Sequence, residues 1–279
     1  MTEVYNRKTK RIEEVKHFGE KPLSKIYSSK LITNIVTNKF ISKIYGLYNK
    51  SIFSKHKINK FIKENNIDMS LYKDKKYHSF NEFFIREYKT IKFNNNKKDF
   101  ISPCDSKLLV YKIDKNLKVK VKNFEYTVEE LLNENIEELK DSYLFIYRLS
   151  VDDCHRYYYL DDGTLEKRVR IKGKLHTVSD SSKDYKIYRE NEREYSVLNT
   201  NNFGKVIYME VGALLIGKIV NHDLKSFKRG EEKGYFLPGG STIIVIAKDI
   251  KVDKDILEYS KKNIETLVSI GEKVGEKDA

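Results

Sequence analysis

Tryptophan is absent from this 279-residue sequence, and it has only two cysteines and three prolines. The cysteines, Cys104 and Cys154, make neither a CxxC pair nor a disulfide framework, which fits a reducing compartment and leaves both as expected thiols. No run of about eighteen apolar residues occurs, the length a helix needs to cross a bilayer. The lysine-rich N-terminus also lacks the apolar core of a signal peptide. The chain is therefore expected not to be threaded through a membrane. Acidic side chains are scarce at the start, where residues 1–63 hold four Asp or Glu against fifteen Lys or Arg. Most of the net charge of +13 thus sits in the first quarter of the chain, and it favours an anionic partner: a phospholipid surface, a nucleic acid or an acidic ligand.

What is present argues for a packed globular protein, with 39% hydrophobic residues, twenty Tyr and fourteen Phe. Leu31, Ile35, Val36, Phe40, Ile41, Ile44, Tyr45 and Tyr48 recur at helical spacing between lysines, and a second amphipathic helix is expected from Ile58 to Ile67. Such basic helices suit a membrane surface, although packing on their own domain is the commoner use. No nucleic-acid motif accompanies the charge, so nucleic acid is not the expected partner. Ser79 reads as the cap of a short helix with Glu82 at the capping-box position. The polar run Lys92–Lys98 is the expected boundary between a basic helical, membrane-associating region (1–98) and a β-rich region (99–279), an α+β organisation. Beyond it, strands are expected at Phe100–Asp105 and Leu108–Ile113 about a bend at Pro103, then at Leu117–Val121, Tyr143–Leu149, Val169–Ile171, Val206–Val211, Leu214–Val220 and Ile243–Ala247. Helices are expected at Thr127–Glu138, capped by Thr127, and at Asp255–Lys262 within a mixed polar tail.

The stretch Phe236-Leu237-Pro238-Gly239-Gly240-Ser241-Thr242 places a Gly-Gly step and a hydroxyl directly before a hydrophobic strand. Glycines there can take backbone conformations closed to other residues, so the turn could be strained. The Ser241 hydroxyl could attack the Gly240 carbonyl and turn the amide into an ester, given a base and donors for the oxyanion. An ordinary turn entering a strand is the plain alternative. Among the six histidines only His155 lies among acids and aromatics at a strand end, and Asp105 follows the bend at Pro103. Two thiolates, an imidazole and a carboxylate from Cys104-Asp105 and Cys154-His155 could in principle hold a metal. Neighbouring residues on a strand face opposite sides, however, so no metal is expected.

Ser102-Pro103-Cys104-Asp105, Asp153-Cys154-His155-Arg156, Glu210-Val211-Gly212-Ala213 and Gly239-Gly240-Ser241-Thr242 occur in the order found in phosphatidylserine decarboxylases, which the chain resembles over almost its whole length. Tyr5-Asn6-Arg7, Asn191-Glu192-Arg193-Glu194-Tyr195, Asn202-Phe203-Gly204 and Lys228–Phe236 extend the resemblance, which is strongest to the bacterial, clostridial-type branch. It implies a proenzyme that cuts itself between Gly240 and Ser241 and keeps its large and small chains together. Ser241 then becomes a pyruvoyl group, the electron sink for turning phosphatidylserine into phosphatidylethanolamine, with no separate cofactor and no metal. The implied location is peripheral, on the cytoplasmic side of the cell membrane.

Carried over position by position, the resemblance makes Asp105 the acid and Ser241 the nucleophile of the cleavage triad, and links His155 to decarboxylation. The second histidine of the family motif is replaced by Tyr158, and the usual glycine after the aspartate by Ser106. A phenol titrates about three units above an imidazole, equivalent to roughly 4 kcal/mol. The expected substitute base is His155, with His176 or a deprotonated Tyr158 as alternatives. Residues 155 and 158 on an extended strand face opposite ways. A lipid-binding homologue that has lost processing is the alternative function.

Overall fold

The computed structural model describes residues 2–15, 39–176, 186–213, 218–239 and 241–278. They form an α+β fold around a ten-stranded sheet, whose strand order is Ser226–Phe227, Gly163–Ile171, Arg193–Thr200, Gly204–Gly212, Ser241–Ala247, Tyr143–Leu149, Ser106–Lys112, Glu265–Val268, Thr2–Asn6 and Arg11–Val15. Every pairing is antiparallel except that of Thr2–Asn6 with Glu265–Val268. The strand Ser241–Ala247 is buried along its whole length, which is why it reads as an unbroken apolar run rather than an alternating one.

Alternation divides this central strand between two cores. Ile243, Val245 and Ala247 join Phe145, Tyr147 and Tyr208 on one face, while Ile244 and Ile246 join Leu144, Ile146, Ile207 and Met209 on the other. Each such aliphatic side chain contributes about 1.5–3 kcal/mol through burial. The second face is covered by the hairpin Lys118–Val121/Phe124–Thr127 and the helix Val128–Leu132. The first face lies under the helix Lys254–Lys261 and two three-stranded sheets, one of them ordered Ile219–Asn221, Glu232–Phe236, Arg156–Tyr158.

The Thr127 cap forms as expected, a full capping box with Glu130, but the helix stops at Leu132 instead of Glu138. Asn133 takes a left-handed conformation (φ 57°) and its N–H closes onto the Glu129 carbonyl, the usual way a short polar residue ends a helix. Residues 249–278 are not a polar tail. They supply the strands Ile250–Val252, Glu265–Val268 and Lys273–Lys277, with Val252, Val268 and Val274 in the core. The first residues join this region too: Arg7 pairs with Asp253 (2.7 Å), Asp255 (2.8 Å) and Glu272 (2.9 Å), so any division near residue 98 must leave residues 2–15 with the β-rich part.

In the basic region, the helix Lys39–Lys50 covers the second half of the expected amphipathic segment, whose residues 31–38 lie outside the described residues. The following helix, Lys57–Glu64, packs Ile58, Phe61 and Ile62 against Phe80 and Phe83. Ser79 caps the helix Phe80–Phe84, accepting from the Glu82 N–H, while the Glu82 carboxylate accepts from the His78 N–H. By contrast Ile44, Leu47, Ile52 and Phe53 are exposed.

Candidate active site

Ser241 opens the central strand opposite Gly212 on one side and Leu149 on the other. It is fully buried, and its Oγ has no hydrogen-bond partner among the described residues. Leaving a buried hydroxyl unpaired costs about 1–3 kcal/mol, a cost that the neighbouring Thr242 hydroxyl shares. Alternation puts its side chain on the face shared with Ile243 and Val245, beneath the small sheet that follows His155. Gly239 has φ 147°, a conformation that side-chain-bearing residues rarely adopt. Gly240 and residues 214–217 lie outside the described residues.

Neighbouring backbone fixes Ser241 from the other strand. The Gly212 N–H donates to the Glu192 carbonyl (2.8 Å), and Asn191 Nδ2 donates to the carbonyls of Gly212 (2.7 Å) and His176 (2.8 Å). A side chain at Gly212 would crowd the Glu192 carbonyl and Leu175 at 3.3 Å. The Asn191-Glu192 pair in the sequence thus clamps the strand partner of Ser241, a role its sequence context did not disclose.

His155 is buried against Phe84, with ring centroids 4.2 Å apart, and Nδ1 lies 3.1 Å from the Asp153 carbonyl. A carbonyl only accepts, so Nδ1 carries the proton and Nε2 holds the lone pair. Nε2 has no hydrogen-bond partner of good geometry among the described residues. Burial pushes the His155 pKa down to about 3, opposed by the backbone of Asp153 and of Gly239 and reinforced by Arg86. The imidazole is therefore neutral at physiological pH. Its sensitivity to Gly239 puts it beside the chain two residues before Ser241.

Asp105 is engaged elsewhere. Its Oδ2 accepts from the Tyr88 hydroxyl at 2.6 Å and its Oδ1 from the Ile270 N–H at 2.8 Å. Burial raises its pKa, while both hydrogen bonds work against that shift. No hydrogen bond joins Asp105 to His155 among the described residues, so the phenol of Tyr88 stands where the sequence led one to expect an imidazole. Lys107 and Thr242 are both paired with Arg148, which puts Asp105 and Ser241 two strand spacings apart, roughly 10 Å at the backbone.

Tyr158 lies on the opposite face of its short strand from Tyr157, and its N–H donates to the Pro103 carbonyl, two residues before Asp105. Tyr157 and Tyr159 enter the core beneath the sheet, whereas the Tyr158 ring packs on Phe93 at 5.5 Å, and burial raises its phenol pKa. Phe93 in turn fills the space left by Gly230, where a Cβ would meet its ring at 2.8 Å. Ser106 is buried against the Cys104 thiol. Cys104 and Cys154 are free and buried, and burial pushes the Cys154 thiol up to about 12. Among the described residues no group of three or more His, Cys, Asp or Glu converges as metal ligands would.

Two further features lie outside the expected set. Glu210 and Lys233 are completely buried and joined at 2.7 Å, with Asn221 bonded to both, tying the small sheet to the large one. Burial raises the Glu210 pKa and lowers that of Lys233, as desolvation of each charged form requires. Arg86 is also buried, and its Nη2 donates to the carbonyls of Asp152 (2.5 Å) and Asp153 (3.2 Å). A lone arginine after the apolar Phe83-Phe84-Ile85 was the signal for it in the sequence.

A family model described as phosphatidylserine decarboxylase matches residues 80–276, from the Phe80 helix to the last strand. Phosphatidylserine decarboxylase proenzyme 2 of Clostridium acetobutylicum is 50% identical over 284 residues, covering 98% of both chains. The phosphatidylserine decarboxylase proenzyme of Clostridium tetani is 43% identical over 99% of both. That of Clostridium botulinum (strain Kyoto) is 40% identical over 99% of this chain and 100% of its own. With matches of this extent, covering the Ser241 turn, His155 and Asp105 alike, the chain belongs to the phosphatidylserine decarboxylase family.

Proposed function

We propose that this protein is a proenzyme that cleaves itself between Gly240 and Ser241 and then decarboxylates phosphatidylserine to phosphatidylethanolamine. The observation that carries this reading is that His155 lies buried beside the backbone of Gly239, a glycine at φ 147°, two residues before the buried Ser241, whose Oγ has no hydrogen-bond partner among the described residues. In the cleavage, Ser241 Oγ forms a bond to the Gly240 carbonyl carbon as the C–N bond breaks, and the hydroxyl proton passes to the freed amine. His155, neutral at physiological pH and beside Gly239, is the side chain proposed to relay that proton between hydroxyl and amine, with burial making it a weaker base than an ordinary imidazole. Loss of the Ser241 α-proton and expulsion of the ester leave dehydroalanine, which water converts to a pyruvoyl group and ammonia.

A pyruvoyl group made from Ser241 fits its surroundings, because it would begin the buried strand where the Ser241 hydroxyl has no hydrogen-bond partner among the described residues. That group supplies the ketone that withdraws electrons as carbon dioxide leaves. Phe84 shields the His155 ring from water, and His155, beside Gly239, would hold a proton near the reacting carbon. No metal enters this scheme. The large and small chains would stay together, since residues 241–247 are paired on both edges with strands of the large chain.

The substrate is proposed to come from an anionic membrane surface on the cytoplasmic side of the cell membrane, with the basic N-terminal region, apart from residues 2–15 that join the large sheet, docked on it peripherally. Exposed Leu47, Ile52 and Phe53 among the lysines of residues 39–63 support this, since a cationic apolar patch suits anionic lipid better than solvent. Among the described residues no helix is long and apolar enough to cross a membrane. Release of labelled carbon dioxide from carboxyl-labelled phosphatidylserine by the parent, and its loss in Ser241→Ala, tests the function. A chain that binds the lipid, stays uncut and releases nothing would instead be a processing-defective lipid-binding homologue.

A further inference from the structure

Arg86 is 1% exposed, yet Nε and Nη1 have no hydrogen-bond partner among the described residues, so three of its five N–H donors are unused. Beyond the Asp152 and Asp153 carbonyls that Nη2 reaches, the guanidinium lies over the rings of Tyr72 (4.6 Å) and Phe83 (5.2 Å), with the Tyr72 hydroxyl close enough to interact with it. No carboxylate bridges it among the described residues. The Asp105 carboxylate interacts with it only beyond ion-pair distance, so much of the several kcal/mol that burying a charge costs is left for a ligand or a function to offset. The location is informative as well. Arg86 Nη2 and His155 Nδ1 converge on the same Asp153 carbonyl oxygen, which keeps the two nitrogens within roughly 6 Å of each other.

We propose that Arg86 is the recognition site for the phosphodiester of the phospholipid headgroup, an inference that rests on the decarboxylase reading above. The substrate carries two oxyanions, a carboxylate and a phosphodiester. A guanidinium on the carboxylate would hold the charge that must disperse as carbon dioxide leaves, so it would stabilise the ground state over the transition state. The phosphodiester keeps its charge from substrate to product, and a cation there adds binding without slowing the chemistry. Arg86 thus anchors the headgroup while His155, on the far side of the Asp153 carbonyl, faces the reacting end.

The test uses the Ser241→Ala chain, which has no ketone and so cannot capture an amine covalently. Nitrogen-15 signals of the arginine Nε–H groups are followed while glycerophosphoethanolamine, L-serine or inorganic phosphate is added. Glycerophosphoethanolamine should shift the Arg86 signal saturably, L-serine should not, and Arg86→Gln should weaken binding at least tenfold while Arg86→Lys retains part of it. An Arg86 signal untouched by glycerophosphoethanolamine, or moved by L-serine alone, overturns the assignment. Should both variants unfold, the titration of the Ser241→Ala chain still decides. A chain that responds at Arg86 but whose Ser241-bearing parent never cleaves would sink the decarboxylase reading and leave the anion site standing. Conversely, an active parent whose KM is unchanged by Arg86→Gln would sink only the anion site.

Discussion

Arg86 and His155 donate to one acceptor, the Asp153 carbonyl, at 3.2 and 3.1 Å. That shared oxygen fixes the imidazole tautomer and brings a buried cation next to a buried neutral base. The Asp153-Cys154-His155 backbone is therefore part of the site's electrostatics as well as its scaffold.

The first prediction follows from the His155 pKa of about 3. Because this value is depressed, the neutral form persists throughout the range in which an ordinary histidine would titrate. Chain cleavage should accordingly show no His155 titration between pH 5 and 8. A time course with a sigmoidal midpoint near 6.5 would show that the working base is a solvated imidazole instead.

The same depression has a consequence for stability. Between pH 6.5 and about 3 the unfolded chain binds a proton at residue 155 that the folded chain refuses, so stability falls with pH by up to about 1.4 kcal/mol per unit from this group. Above pH 6.5 the group contributes no slope. Urea unfolding of His155→Asn at pH 7.5, 6.5, 5.5 and 4.5 should give a shallower acid decline than the parent, whatever its absolute stability. Parallel declines would contradict the buried, neutral assignment.

Tyr158→His is expected to leave the cleavage rate no faster than the parent's. The ring at 158 packs on Phe93, across the strand from the face that Ser241 shares with Tyr157. An imidazole there would meet an aromatic wall. A marked acceleration that titrates near pH 6.5 would mean that residue 158 turns toward Ser241.

How much of this was legible in the sequence differs from residue to residue. The central strand and the Thr127 cap were readable because local chemistry determines them: a long apolar run and a capping box. The end of the Thr127 helix was not, since Asn133 is an acceptable helix residue until tertiary packing makes it left-handed. The C-terminal strands were hidden among Lys and Glu because their buried residues include polar ones, Glu265 and Thr266 being as buried as Val268. Pairings between distant segments were the least visible. Nothing local to Tyr88 points to Asp105, and nothing local to Glu210 points to Lys233.

That last pair gives a stability prediction. Lys233→Met should destabilise the fold by about 3–5 kcal/mol, because it strands the Glu210 carboxylate in the core. Adding Glu210→Leu should recover much of the loss, even though two charges have then been removed. Denaturant midpoints of both single variants and the double variant measure the coupling. Additive losses would show that the two side chains do not depend on each other.

Surface association should depend on salt. With fifteen Lys or Arg against four acidic residues in the first 63, binding to phosphatidylserine vesicles should weaken steeply toward 1 M salt, where the Debye length is about 3 Å. Binding that ignores salt would mean that Leu47, Ile52 and Phe53 insert on apolar grounds alone. Tighter binding to an oligonucleotide at equal salt would contradict the lipid assignment.

The intact mass of freshly purified protein tests the central claim most directly. The account predicts two chains, divided between Gly240 and Ser241, with the small chain lighter than its unmodified sequence by the conversion of serine to a pyruvoyl group. Ser241→Ala should give one full-length chain. A parent that remains a single chain, or a Ser241→Ala protein cut at the same bond, would contradict it.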